Sequence, residues 1–202
     1  NVMVGPRTSS KPEASPAPDS PTGWSFNVVT QNLYDALKSD PRFGATILDV
    51  KALKAAGEAD YIGGYQDTGY FLNKFLPRKT DVRSGGGAAE LNYKQNTYVM
   101  RLADTYLMEA EALGSGARAQ ALLDAVRARV GLPSVPVTLQ AIKNERRMEL
   151  AGEGLRFFDL VRWGDAATVL ANRGFNAGTD EIFPIPTREL QGTKLKQNPG
   201  YN

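Results

Sequence analysis

From Tyr98 onward apolar residues recur at the spacing of a helix, and glycines cut the pattern into pairs. Tyr98, Leu102, Tyr106 and Ala110 stand four apart, with Val99, Ala103, Leu107 and Leu113 beside them. Gly114-Ser115-Gly116 ends this run, and a second follows from Ala117 to Val130, carrying Ala121, Leu122, Ala125 and Val126. Gly131 and then Pro133 close it in the order that stops helices. The next pair repeats the plan. Thr138 is an N-cap for a helix expected over Leu139 to Glu153, Gly152 and Gly154 break it, and Leu155 to Leu170 forms the second helix, with a bend at Gly164. A helix pair with small residues at the crossing and a short glycine turn is the unit of a tetratricopeptide-type repeat. The expected fold class is therefore mainly α: tetratricopeptide-like helix pairs forming an α-α superhelix, with long irregular loops and little strand. Such units bury their faces only against neighbours, and about three or more are needed for stability. Two pairs imply further repeats outside this chain.

The first half is less regular, and the chain reads as an irregular, loop-rich region over 1–97 followed by helix pairs and an extended tail over 98–202. Asn1 to Gly23 holds five prolines among many small residues and reads as extended. Val28 to Ser39 spaces Leu33, Ala36 and Leu37 helically behind the N-cap Thr30, and this helix must stop before Pro41. Ala45 to Val50 suits a strand. Arg83 to Ala89 is a mobile glycine loop; its three glycines lack the Lys and Ser/Thr that a phosphate-cradling loop needs. In the tail, Phe183-Pro184-Ile185-Pro186 must be extended, and Asn198-Pro199-Gly200-Tyr201 is a turn.

Composition removes several functions. The chain has no Cys and no His, so the usual zinc and copper sites and Ser-His-Asp or Cys-His catalysis are excluded. No metal or cofactor is expected. Its net charge is +2 with basic residues scattered among acids, which gives no case for nucleic acid. No apolar run approaches the ~20 residues of a membrane helix, and no signal peptide opens the chain.

The stretch Asn144 to Asp165, NERRMELAGEGLRFFDLVRWGD, is both charged and aromatic. Leu139, Ile142, Arg146, Glu149 and Glu153 fall on one helical face, so the apolar stripe runs into charge. Glu145 and Glu149, like Glu149 and Glu153, are like-charged pairs four apart. They make sense if each carboxylate meets an Arg from elsewhere. The following helix offers partners: Arg156, Asp159, Arg162 and Asp165 alternate in sign at spacings of three, with Phe157, Phe158, Val161 and Trp163 between them. Three readings stand. Paired-carboxylate catalysis needs two acids across a cleft, whereas an Arg within a turn keeps each acid ionised. Anion binding would use Arg146, Arg147, Arg156 and Arg162. The reading adopted is a structural ion-pair network of Glu145, Arg146, Glu149, Glu153, Arg156, Asp159 and Arg162, with no catalytic residue.

The same stretch resembles the ERR-x-EL-x-x-EG-x-R-x-x-DL-x-RWG signature of the SusD/RagB family. Other motifs follow in that family's order. Gly23-Trp24 with Thr30 and Leu33-Tyr34-Asp35-Ala36 resembles its GWG-x-x-x-PT-x-x-L-x-DAF segment, and Asp40-Pro41-Arg42 its DPR. Arg101 to Asp104 with Glu109 to Ala112, then Ala121-Leu122 with Val126 to Arg129, resemble its next two helices. Phe183 to Pro186 and Gln197 to Tyr201 resemble its FPIP and QNPGY tail. Ser25, Val29, Gly152 and Leu155 depart from the pattern at packing positions, so local adjustment and no change of fold is expected.

The resemblance implies an outer-membrane lipoprotein on the cell surface of a glycan-harvesting Gram-negative bacterium. Such proteins cap a SusC-like TonB-dependent transporter and deliver oligosaccharide or another nutrient to it without cleavage. The lipid anchor and first repeats would lie in a missing N-terminal half. A scaffold that docks the transporter without its own ligand site is the alternative. Sugar binding needs aromatic faces and polar side chains, for which Trp24, Tyr61, Tyr65, Tyr70, Phe71 and Tyr93 are the candidates, with Gln66, Asp67, Asn73 and Lys74 near them. Several of these aromatics can equally cover helices, Trp24 above all.

Overall fold

The computed structural model describes residues 4–8, 22–81, 83–88, 91–96 and 98–201. It is mostly helical and divides between Gly152 and Glu153 into two compact units.

In the first unit, β1 (Arg7–Thr8) pairs antiparallel with β3 (Tyr61–Ile62), placing Arg7 opposite Ile62. Helix α1 (Gln31–Leu37) starts where expected: Thr30 is extended and its hydroxyl accepts from the Leu33 amide at 3.3 Å. A short helix α2 (Phe43–Thr46) leads into β2 (Ile47–Asp49). The strand is shorter than the sequence suggested at both ends: Ala45 and Thr46 belong to α2, and the Asp49 carboxylate accepts from the Ala52 amide at 2.8 Å and caps α3 (Val50–Ala55).

Strand β4 (Tyr70–Leu72) runs antiparallel to β2, with Ile47 opposite Leu72 and Asp49 opposite Tyr70. All three of its residues are buried, because the strand separates two apolar clusters. Side chains alternate across a strand. Tyr70 and Leu72 therefore join Val29, Leu37, Ile47 and Ala151, while Phe71 joins Val50 and Ala59.

Helices α4 (Leu102–Leu113) and α5 (Ala117–Ala128) fold back on each other through Gly114 and Gly116, both at positive φ. Leu107, Leu123 and Val126 form one apolar cluster; Ala110, Ala119 and Leu122 meet Ile142 of α6 (Leu139–Glu149) in another. Two of the boundary expectations shift. Arg101 is extended, so α4 starts at Leu102 and leaves Tyr98, Val99 and Met100 exposed ahead of it. Helix α6 ends at Glu149, one turn early, so Glu153 does not extend its face.

The second unit holds α7 (Arg156–Arg162), α8 (Ala166–Val169), a 3-10 turn (Ala171–Arg173) and α9 (Thr187–Leu190). The helix expected over Leu155 to Leu170 is two helices, since Gly164 adopts φ 73. Its two tail motifs belong together. Pro184 and Pro186 cannot donate backbone hydrogen bonds, and side chains of the last residues engage the segment instead. Gln197 accepts from the Ile185 amide and donates to its carbonyl, both at 2.8 Å. Asn198 donates to the Phe183 carbonyl at 2.7 Å, and Tyr201 donates to that of Ile182 at 2.9 Å. Among the described residues no helix is long and apolar enough to cross a membrane.

Gly152 shows how tightly the end of α6 meets β4. It sits at φ 79, and a Cβ there would lie 2.6 Å from Leu72 Cδ2. Gly57 has a similar φ of 75 with nothing within 4 Å. Gly152→Ala is expected to cost about 2–5 kcal/mol from left-handed strain and overpacking, against about 1–2 kcal/mol for Gly57→Ala. Urea unfolding of the two variants checks this; equal costs would show that Leu72 moves aside freely.

Candidate functional site

Two features gather residues with chemical potential: a buried charge network and an exposed aromatic surface, both in the first unit. The network sits on the inward face of α6, where Ile142, Glu145, Arg146 and Glu149 are all buried. Arg42 Nη1 donates to Glu145 Oε1 at 2.6 Å and to Glu149 Oε2 at 3.0 Å. Its Nε and Nη2 fork onto the two oxygens of Asp40, each at 2.8 Å. Arg127 binds the other oxygen of Glu145 at 2.7 Å. Arg101 and Arg129 bind Glu149 at 2.6 and 2.7 Å. Beside them Arg146 binds Asp104 at 2.7 Å.

This is charge-assisted bonding between planar forks and carboxylates, the geometry Arg provides and Lys does not. Burial pushes the Glu149 carboxyl up, but hydrogen bonds from Arg101 and Arg42 outweigh it and hold the group below its usual range. The Arg42 hydrogen bond likewise holds Asp40 low. A carboxyl kept ionised is no proton donor.

The sequence reading looked to the helix after the Glu residues for their partners. The structure brings Arg42, Arg101, Arg127 and Arg129 instead, from segments that precede α6. A signal for them did exist. Each lies in a motif block already singled out: Asp40-Pro41-Arg42, Arg101 to Asp104, and Val126 to Arg129. In the second unit Asp159 pairs with Arg162 at 3.0 Å, and the Arg162 guanidinium lies 4.7 Å from the Trp163 ring centre. Glu153 and Arg156 are half-buried before and at the start of α7.

The aromatic candidates separate by burial. Phe71 is fully buried and Tyr70 nearly so, with Tyr70 stacked on Tyr34 at 4.0 Å. For these two the expectation of a ligand-facing role is corrected: β4 passes between two cores and turns both rings inward. Tyr93 is half-buried in segment 91–96. Tyr61 is half-buried, its ring edge-on to Phe71 at 5.7 Å.

Trp24 and Tyr65 face water, at 47% and 88% exposure. Phe26, which the sequence reading missed, is 54% exposed and meets Trp24 edge-on at 6.1 Å. Trp24 and Phe26 are both exposed while Ser25 between them is buried, an arrangement set by the left-handed turn at Ser25 that no regular periodicity announces. Ser25 is also held by its neighbours. Its amide donates to the Gly5 carbonyl at 2.8 Å, and its hydroxyl accepts from the Arg7 amide at 2.9 Å.

The loop that carries Tyr65 abuts this segment, since a Cβ on Gly64 would lie 3.4 Å from Ser25 Cβ. Among the described residues, the non-glycine residues at positive φ are Ser25, Asn27 and Gln66, all on these two touching loops. Each such conformation costs about 1–3 kcal/mol and persists only where the surroundings over-determine it, which is common at functional sites. Ser25 at φ 59 also explains the second Gly of the GWG pattern, since glycine takes that conformation without strain.

A carboxyl held low stabilises the fold above its unfolded value, about 4.3, and that contribution is lost as pH falls through the lower folded value. Thermal melts in acid should show wild-type stability dropping below about pH 4.3. Glu149→Gln strands buried arginines and should be about 3–5 kcal/mol less stable near neutrality, with a flatter acid dependence. A variant curve parallel to wild type would remove Glu149 from the stabilising network.

Comparison with known proteins agrees with this architecture. The model of the SusD family matches residues 4–201. SusD-like protein P25 of Formosa agariphila is 35% identical over 120 residues, 50% of this chain and 23% of that protein. A SusD-like protein of Bacteroides ovatus is 35% identical over 106 residues, 49% of this chain and 19% of that protein. Among solved structures, a laminarin-binding SusD-like protein superimposes at TM-score 0.93 and 69% identity, over 100% of this chain and 44% of its own. Surface glycan-binding protein A from Bacteroides thetaiotaomicron in complex with laminarihexaose gives TM-score 0.85 at 28% identity, over 98% of this chain and 45% of its own. The chain thus spans less than half the length of these relatives. A family match along nearly all its residues and a shared helical fold make this chain a member of the SusD family.

Proposed function

We propose that this chain binds a glucan of the laminarin type on the surface formed by Trp24, Phe26 and Tyr65, at the outside of the cell, and passes it uncleaved to a SusC-like TonB-dependent transporter in the outer membrane. The observation that carries the reading is the set of exposed rings on two abutting loops held in left-handed conformations. Sugar rings have apolar faces that lie on aromatic side chains and hydroxyls that need hydrogen-bonding partners. Gln66, next to Tyr65, supplies amide groups at the same loop tip. The likeness to a laminarin-binding protein at 69% identity supports the ligand class.

Binding without cleavage is part of the proposal and rests on the glycan-binding relatives; the paired state of the central carboxylates is consistent with it. Glu145 and Glu149 are buried and saturated by arginines, so neither presents a free acid to a substrate. Delivery to the transporter rests on membership of the family.

Calorimetric titration of the full chain with laminarihexaose tests the ligand and the surface together. Trp24→Ala or Tyr65→Ala should weaken binding by at least about tenfold, the scale of losing one aromatic anchor. Binding unchanged in the double variant would move the site elsewhere. No binding by wild type, with the transporter still recovered in complex, would favour a docking scaffold without its own ligand site.

A further inference from the structure

Tyr65 is nearly free of packing, yet its loop is tied to the core at its base. The tie runs through Asp67. Tyr61 Oη donates to Asp67 Oδ2 at 2.8 Å, and the Gly69 amide donates to Asp67 Oδ1 at 3.2 Å. The Asp67 amide closes the tip by donating to the Gly64 carbonyl at 3.2 Å. One carboxylate therefore gathers both ends of the loop that displays Tyr65 and Gln66.

Tyr61 connects this carboxylate to the interior. Its ring rests edge-on against the fully buried Phe71, and Lys54 Nζ sits 5.3 Å from its ring centre while also pairing with Asp60 at 2.8 Å. Burial and the Asp67 hydrogen bond push the Tyr61 hydroxyl up to about 12, so it remains a donor throughout the physiological range.

The glycines beside the lock are closely approached. A Cβ on Gly63 would lie 3.2 Å from Asp67 Oδ2. A Cβ on Gly69, which sits at φ 76, would lie 2.7 Å from Lys51 Cβ and 3.1 Å from Tyr61 Oη. Larger residues at either position would push the carboxylate or the phenol out of place. On its far side the tip meets Ser25, whose own conformation is strained and whose hydroxyl holds the Arg7 amide. The loop is thus fixed against the Trp24 segment on one side and against the core on the other.

We infer that Asp67 is a positioning residue for glycan recognition: paired with Tyr61, it fixes the loop that presents Tyr65 and Gln66 to the sugar, and it acts through that loop without contacting the ligand. The inference rests on the reading of Trp24, Phe26 and Tyr65 as a glycan surface. Its physical content is preorganisation. A loop ordered before binding does not have to be ordered by the ligand, and the saved conformational entropy appears as affinity.

A double-substitution cycle separates this role from direct contact. Tyr61→Phe, Asp67→Ala and the combined variant are titrated with laminarihexaose, and amide hydrogen exchange is followed over residues 62–68 without ligand. Each single variant should weaken binding by about three- to tenfold, and the combined variant should be no worse than Asp67→Ala alone, because both break one unit. The loop amides should exchange at least about fivefold faster in each variant. The melting temperature should move by less than about 2 °C, since Asp67 is exposed and, among the described residues, its hydrogen bonds reach only Tyr61, Gly64 and Gly69 of the same loop. Losses that multiply in the combined variant would mean that Asp67 touches the sugar and would overturn the inference. Unchanged loop exchange would overturn it as well. If wild type fails to bind laminarihexaose, the glycan reading fails, while the exchange data still decide whether the lock exists.

Discussion

The first unit depends on the burial of two carboxylates on one helix face. Glu145 and Glu149 are almost wholly inaccessible, and a buried carboxylate left unpaired would cost several kcal/mol. Four arginines meet that cost, and each arrives from a different point in the chain: the turn before α2, the residue before α4, and two positions at the end of α5. The requirement to satisfy these oxygens therefore fixes where three segments cross α6. The backbone is part of the same arrangement. The Glu149 carbonyl, at the C-terminal end of α6, accepts from Arg101 and from Lys74, each at 2.6 Å. Cations placed there complement both the unsatisfied carbonyl and the helix dipole.

A core held by directed polar bonds differs from one held by apolar contact. Apolar clusters lie on either side of β4 and between α4, α5 and α6. They tolerate repacking, whereas a bidentate guanidinium pair tolerates little displacement. The surface bearing Trp24, Phe26 and Tyr65 is built from short extended pieces, a two-residue strand pair and left-handed turns, none of which contributes to the charge network. The left-handed conformation of Ser25 is held by its hydrogen bonds to Gly5 and Arg7 and by the abutting loop at Gly64.

Much of the fold was legible in the sequence. Thr30 and Thr138 announced two helix starts, and Gly114, Gly116 and Gly164 announced breaks, because capping and left-handed turns act within a few residues. Errors arose where neighbours decided the outcome. The pattern in Tyr98 to Met100 suits a helix, yet Arg101 is drawn into an extended conformation as its side chain reaches Glu149. The pattern of Glu153 suits the face of α6, but that helix already ends at Glu149, and Gly152 beyond it turns at positive φ against Leu72. At the candidate site, Tyr70 and Phe71 look like Tyr65 in composition and neighbourhood. Only the pairing of β4 with β2 turns the first two inward.

By itself the sequence determined the helical class, the helix limits set by caps and glycines, the family, and the exclusion of chemistry that requires His or Cys. Those properties depend on residue identity and on spacing over a turn or two of chain. Tertiary structure alone decided which arginine meets which carboxylate, and which aromatic ring meets water. Arg42 and Glu149 are 107 positions apart, and Arg101 and Glu149 are 48. No local spacing encodes such a pairing, because it exists only once the segments have packed and the excluded water has made each unpaired charge intolerable.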